Sequence, residues 1–387
     1  MRPHNLISFA ATAALSSPVT AMTLAEMLAA QNATLSILNG FLEQQQALFN
    51  AFSSTPDITV LAPSNAALSS LPDEVVDRVS SDPAYLTALL SYHVLNGTYY
   101  ASQLTASTEP LVIRTLLNSS AYANVSGGQR VVAQLLESDE VILYSGGGAG
   151  TTIQTRDYNF TGGTVHIIDG MLSLPASLSD TLLARNMTAA VGAIRESGMG
   201  DGLDAAGEVT VFAPTNAAFE AVGSLVADMT DDQFTNVLAY HVVQGAVMYS
   251  GMMGNGTAVA TQGTSLTFLA AEEGGMFVNG ARVVEADVLI ANGVLHFIDA
   301  VLNPENSEAT PDPTASTQAP EFSGASATGG VPFTTGVVVP PPPLSSTSRA
   351  VTATITVGPV VTGSGVMDTV DMVLLILFGF LGAIFNI

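Results

Sequence analysis

The sequence predicts an α+β protein in which one domain is written twice. Three observations carry this. The ten residues Thr210–Phe219 (TVFAPTNAAF) repeat Thr59–Leu68 (TVLAPSNAAL) with seven identities. Two further blocks follow each copy in the same order: Tyr92-His93-Val94 with Tyr240-His241-Val242, then Val165–Leu172 with Leu295–Leu302. Ordered blocks repeated at long spacing mark duplication of a whole domain. Each copy also holds both helix-spaced and strand-like apolar runs, so both element types are expected.

In chain order, Arg2, the mostly apolar run Leu6–Leu15 and the small residues Val19-Thr20-Ala21 form a secretory signal over residues 1–21. Cleavage is expected after Ala21. Domain one is assigned to 22–174. Leu24, Met27 and Leu28, then Leu35, Leu38, Phe41 and Leu42, follow helical spacing, and Gly40 is read as a turn or bend. Thr59-Val60-Leu61 is the end of a buried strand, stopped at Pro63, which lacks a donor for the ladder. Ser64 or Asn65 then caps a short helix; Thr215 or Asn216 does the same in the second copy. Asp82-Pro83 is a cap followed by a first-turn proline, opening a helix that runs to Tyr92. Short β runs such as Arg130–Val132 and Val141–Tyr144 follow, between glycine-rich turns.

Domain two is assigned to 175–302. Leu182, Leu183, Val191 and Ile194 form a helical stripe, and Gly198–Gly207 reads as loop. Thr230-Asp231-Asp232-Gln233 has capping-box form. Strands are expected at Leu266–Phe268 and Phe277-Val278. The two copies differ in length: 73 positions separate His93 from His166, and 55 separate His241 from His296. The excess is expected around Ser145–Gly150 or in Ser119–Gly128, as a hairpin insertion. Residues 303–362 are rich in Pro, Ser, Thr, Ala and Gly, which predicts a disordered, O-glycosylated stalk. Residues 363–387 hold the small residues Gly363, Ser364 and Gly365, a short spacer and the apolar run Met372–Ile387. That is the layout of a glycosylphosphatidylinositol signal, with those three residues as attachment candidates.

The three blocks resemble the fasciclin family, the FAS1 domain, over about residues 23–302. The family carries a Thr-Val-Phe-Ala-Pro-Thr-Asn block, a Tyr-His block and a closing apolar-His-apolar-Ile-Asp block. The resemblance implies two tandem FAS1-like domains, each a twisted β-sandwich or wedge with flanking helices. It also implies adhesion, with Tyr92, His93, Tyr240 and His241 as candidate contacts. The family's aspartate-isoleucine adhesion pair has no match beside the closing blocks.

Composition narrows the function further. The net charge is −24, and all nine basic residues are arginine. Such a chain repels nucleic acid and anionic lipid surfaces, so membrane association is expected through a lipid anchor alone. There is no cysteine, hence no disulfide or thiolate chemistry. Asp201-Gly202-Leu203-Asp204 lacks calcium-loop spacing, and no nucleophile elbow, phosphate loop or zinc-binding helix motif occurs. Four of the five histidines are the repeat-equivalent pairs His93 with His166 and His241 with His296. They are read as core histidines bonded to backbone, and Asp169 and Asp299 as groups that satisfy a turn. No catalytic, cofactor or metal site is assigned. Seven Asn-x-Ser/Thr sequons, at Asn32, Asn96, Asn118, Asn124, Asn159, Asn186 and Asn255, are expected to carry glycans.

The expectation is a non-catalytic adhesion glycoprotein, secreted to the surface of a walled cell and bound to a surface or matrix protein or glycan. The alternatives are a wall enzyme or small-ligand binder, and a structural wall glycoprotein. A polar cleft holding both histidines of a pair would favour the enzyme; buried histidines would favour adhesion.

Overall fold

The computed structural model of the protein describes residues 22–107, 109–226, 228–271 and 275–339, without the side chains of 41, 43 and 44. The expected signal (1–21) and attachment segment (363–387, with Gly363, Ser364 and Gly365) lie outside the described residues, as do 340–362 of the expected stalk.

Each domain is a seven-stranded sheet with flanking helices. In domain one the strands are β1 (Ile58–Pro63), β2 (Val94–Asn96), β3 (Leu111–Arg114), β4 (Arg130–Leu135), β5 (Val141–Tyr144), β6 (Gly150–Phe160) and β7 (Gly163–Ile168). In domain two they are β8 (Val209–Pro214), β9 (Val242–Gln244), β10 (Thr257–Val259), β11 (Ser265–Ala270), β12 (Met276–Val278), β13 (Ala281–Ile290) and β14 (Gly293–Ile298). The orders match: β2-β1-β7-β6-β5-β4-β3 and β9-β8-β14-β13-β12-β11-β10. The first and third repeated blocks pair in parallel, β1 with β7 and β8 with β14. All other neighbours are antiparallel.

The central pair is buried on both faces, which explains its continuous apolar run. Ile58, Val60, Ala62, Val165 and Ile167 face the N-terminal helices. Leu61 and Ile168 face the other way, into a cluster with Val131, Val141 and Leu143. The two halves of one ladder thus pack face to face, the sandwich the family resemblance implies. The turn between the halves runs through β6, whose register shifts twice between Ile153 and Tyr158. β13 shifts between Val283 and Val288 in the same way.

Several local expectations are sharpened. Ser64 and Thr215 are the caps, accepting from the N–H of Ala67 and Ala218 at 3.2 Å each. Asp82 caps the helix Pro83–Tyr92, and Thr230 forms the capping box. Two expectations are corrected. Gly40 lies inside the helix Asn32–Gln44, whose irregular residue is Leu35. Gly198–Gly207 contains a helix, Gly200–Ala205, because Leu203 is buried in the second core.

Most of the length excess falls in the two expected regions. Fifteen residues join β3 to β4 where five join β10 to β11, and five join β5 to β6 where two join β12 to β13. Both longer loops meet domain two. Asn124 donates its N–H to the carbonyl of Ala291 (2.8 Å), and Gln129 Nε2 donates to that of Ile290 (3.0 Å). Gly147 N–H donates to Leu289 O (3.1 Å). A small apolar cluster of Val132, Tyr249, Leu289 and Val294 spans the junction.

Part of the expected stalk, residues 303–339, is placed against domain two instead of extending from it. Phe322, Val331 and Phe333 cover the second core. Phe333 stacks on Phe234 with ring centroids 4.8 Å apart and meets Phe219 edge-on at 5.9 Å. Composition misses this because a few apolar anchors hold a segment that is polar on average.

Candidate functional site

The repeated blocks meet at the central strand pair, and their polar groups are bonded to backbone. His93 and His241 end the helices Pro83–Tyr92 and Asp231–Tyr240, and both are 3% exposed. His93 Nδ1 donates to Leu89 O (2.7 Å), while Nε2 accepts from the N–H of Leu172 (2.9 Å). His241 repeats this with Val237 O (2.8 Å) and Leu302 N (2.9 Å). An N–H aimed at Nε2 requires that atom to be unprotonated, so the tautomer is set. Burial, the dominant cause, pushes both histidines down to about 4. The Tyr-His block therefore ties its helix to the last residue of the closing block.

His166 and His296 have the opposite tautomer. Nε2 donates to Tyr99 O (2.8 Å) and Met248 O (2.9 Å), and Nδ1 accepts from the N–H of Asp157 (3.1 Å) and Asp287 (3.3 Å). Asp157 and Asp287 have positive φ, 64° and 59°, at the irregular part of β6 and β13. Their carboxylates accept from the N–H of Ala101 and Ser250 at 2.8 Å each, fixing the starts of the short helices Ala101–Leu104 and Ser250–Met253. Sequence reading missed these aspartates. The signal was present: each lies nine residues before its histidine. Thr59 and Thr210 were also missed. Each is fully buried and bridges the loop after the Tyr-His block, Thr59 through Gly97 O and Tyr99 N, Thr210 through Ala246 O and Met248 N.

All four ring pairs of nitrogens are thus engaged with main chain. Among the described residues no group of three His, Asp or Glu side chains is placed to hold a metal. Asp169 and Asp299 accept from the N–H of Thr152 and Arg282, each at 2.7 Å, holding the start of a neighbouring strand.

The adhesion candidates Tyr92, His93, Tyr240 and His241 are corrected by their positions. Both tyrosines are fully buried. Tyr92 donates to Arg130 O (2.7 Å) and Tyr240 to Ser265 O (2.8 Å), linking each helix to the far half of its sheet. A partner cannot touch these side chains in the folded domain; they act on the surface only through the fold. The seven sequon asparagines, Asn32, Asn96, Asn118, Asn124, Asn159, Asn186 and Asn255, are all exposed.

Between the domains lies a cleft of about 300 Å³. Gln134 and Tyr144 line one side; Ser250, Glu285 and Asp287 line the other. The Gln134 amide and Tyr144 hydroxyl have no hydrogen-bond partner among the described residues. Arg185 pairs with Glu285 at its rim and also reaches Gly147 O (3.3 Å).

The sequence model of the fasciclin domain matches residues 33–175 and 185–304. A fasciclin-like arabinogalactan protein of Arthroderma benhamiae is 30% identical over 321 residues, covering 81% of this chain and 75% of that protein. Another from Cercospora beticola is 30% identical over 306 residues, covering 77% and 80%. A solved FAS1 domain pair from the insect cell adhesion molecule fasciclin I is 19% identical and covers 72% of this chain and all of that one, with a TM-score of 0.36. The chain, with two copies of the block set and two matching seven-stranded sheets, belongs to the fasciclin family.

Proposed function

We propose that this protein is a non-catalytic adhesion or wall-interaction glycoprotein, held at the cell surface by a lipid anchor. The observation that carries the reading is the use of the histidines. The residues that catalysis would most readily recruit, His93, His166, His241 and His296, are committed to backbone at both ring nitrogens. The fungal relatives' names, fasciclin-like arabinogalactan protein, fit a surface or wall glycoprotein. The exposed sequons and the acidic, lysine-free surface suit glycan decoration and selective contact. Two joined domains also allow two weak contacts to act together.

The test is attachment of beads bearing residues 22–339, which include the docked tail, to wall and matrix fractions. Saturable attachment above glycan-matched controls supports the reading. No excess attachment, with histidine-dependent turnover of a wall polymer, replaces it with the enzyme. Release of the protein from intact cells by a phosphatidylinositol-specific phospholipase tests the anchor. One observation favours a second reading, small-ligand binding: the unpaired Gln134 and Tyr144 in the cleft. Soluble wall saccharides should then shift the melting temperature, and Tyr144→Phe should abolish that shift.

A further inference from the structure

In domain two, the helices Thr188–Glu196, Asn216–Ala221 and Asp231–Tyr240 form a groove that the chain fills with its own tail. Phe333 enters between Phe219 and Phe234. The tail backbone crosses Gly192 so closely that a Cβ there would lie 1.8 Å from Phe333 O. Arg195 then donates to the carbonyls of Thr335 (2.6 Å) and Gly336 (3.1 Å). The groove thus takes an extended segment with one phenylalanine.

Domain one repeats the groove, and no segment among the described residues fills it as the tail fills that of domain two. Asn216 accepts the N–H of Ala189, and Asn65 accepts that of Ile37, both at 3.0 Å. Three residues beyond each of those N–H groups stands a glycine: Gly192 in domain two and Gly40 in domain one. Leu68 occupies the place of Phe219, and Leu86 that of Phe234, by their distance from the caps and the Tyr-His block. Where Phe219, Phe234 and Val222 are buried, Leu68, Leu86 and Leu71 remain half-exposed. These three and Val79 line the mouth of an apolar cavity of about 70 Å³ that reaches inward to Leu38 and Leu90. The longer helix Asp73–Ser81 forms one wall, with Val76 and Val79 facing the cavity.

We propose that the groove of domain one binds an extended peptide segment of a partner protein that presents a phenylalanine side chain. The duplication points to the occupant: the same scaffold holds such a segment in domain two. Gly40, at the position equivalent to Gly192, likewise carries no side chain. No charged residue is among the described residues that line the cavity, although Glu43 stands where domain two has Arg195; an exposed apolar groove of this kind marks a docking surface. This site stands on the groove geometry and does not require the adhesion reading.

The test uses purified full-length protein and a synthetic peptide of residues 328–337 with p-benzoylphenylalanine at the Phe333 position. After irradiation, labelling should saturate and map to residues 32–44 and 65–92 while the protein's own tail stays docked. Leu68→Arg and, separately, Leu86→Arg should weaken labelling at least tenfold. Phe333→Ala in the protein should add a second labelled site in domain two. A competitor peptide carrying Phe333→Ala should fail to displace the label, an arm that leaves the protein unaltered. The proposal is overturned if label appears in domain two alone, if it never saturates, or if the alanine peptide competes equally well. Palmitate blocking the groove while no peptide saturates it would make this a lipid site and would also overturn the proposal.

Discussion

Asn65 and Asn216 hold the turn of a neighbouring helix instead of capping their own. Asn216 accepts from Ala189 N–H and donates to Asn186 O (2.9 Å); Asn65 accepts from Ile37 N–H and donates to Ser36 Oγ (2.9 Å). Alanine at either position leaves main-chain groups unpaired, so each variant should lose about 1–3 kcal/mol. Thermal unfolding of the whole protein checks this, with Ser64→Ala and Thr215→Ala as cap variants for comparison. The histidines set an acid limit. His93 and His241 are held near 4 against an ordinary 6.5, so the unfolded chain binds their protons first as pH falls. Their stabilising contribution is complete above pH 6.5 and is lost as pH drops through about 4. Urea midpoints measured from pH 7 to 4 should fall over that window, and more shallowly in His93→Gln and His241→Gln.

The docked tail is the element in which two opposing effects meet. Its apolar anchors gain from burial, while Glu321, 6% exposed, is buried with them. The Glu321 carboxylate accepts from the N–H of Gly280 (2.9 Å) and Asn303 (2.8 Å). Burial outweighs these bonds and raises it to about 7 from 4.5. For a carboxyl raised in the folded state the sign is the reverse of the histidines. The contribution is complete below pH 4.5 and is lost as pH rises through about 7. Fluorine NMR of 4-fluorophenylalanine at position 333 should therefore show more released tail at pH 8 than at pH 5, and Glu321→Gln should remove the dependence. Gly192→Val should release the tail at every pH, because the new side chain overlaps Phe333 O. New protease cleavage within 320–339, with both domains intact, is the expected result.

At the scale of the whole molecule, the two domains are joined through the loops in which they differ. Gln129 is fully buried and donates across the junction to Ile290 O and Ala291 O (3.4 Å). Gln129→Leu leaves those carbonyls without that donor and should cost roughly 1–3 kcal/mol. Calorimetry should then resolve two transitions in place of one, and small-angle scattering should report a wider spread of domain separations. By contrast, Arg185→Ala should change stability by about 1 kcal/mol or less, since its ion pair with Glu285 is partly solvated.

Most of what is encoded locally or by repetition is legible in the sequence, although Gly40 and the helix Gly200–Ala205 are exceptions. The duplication, the strand ending at Pro63, the Asp82-Pro83 helix start, the Thr230 capping box and the backbone role of the histidines follow from residue chemistry at short range. Three matters were decided by tertiary structure. Whether Ser64 or Asn65 caps depends on which long-range partner claims the asparagine, and Ile37 lies 28 residues away. The burial of Tyr92 and Tyr240 depends on the far half of each sheet closing over them. The docking of 303–339 depends on a groove built by three helices, which no composition window contains. In each case the deciding contact joins residues distant in sequence, and burial, which sets the energy of that contact, exists only once the chain has folded.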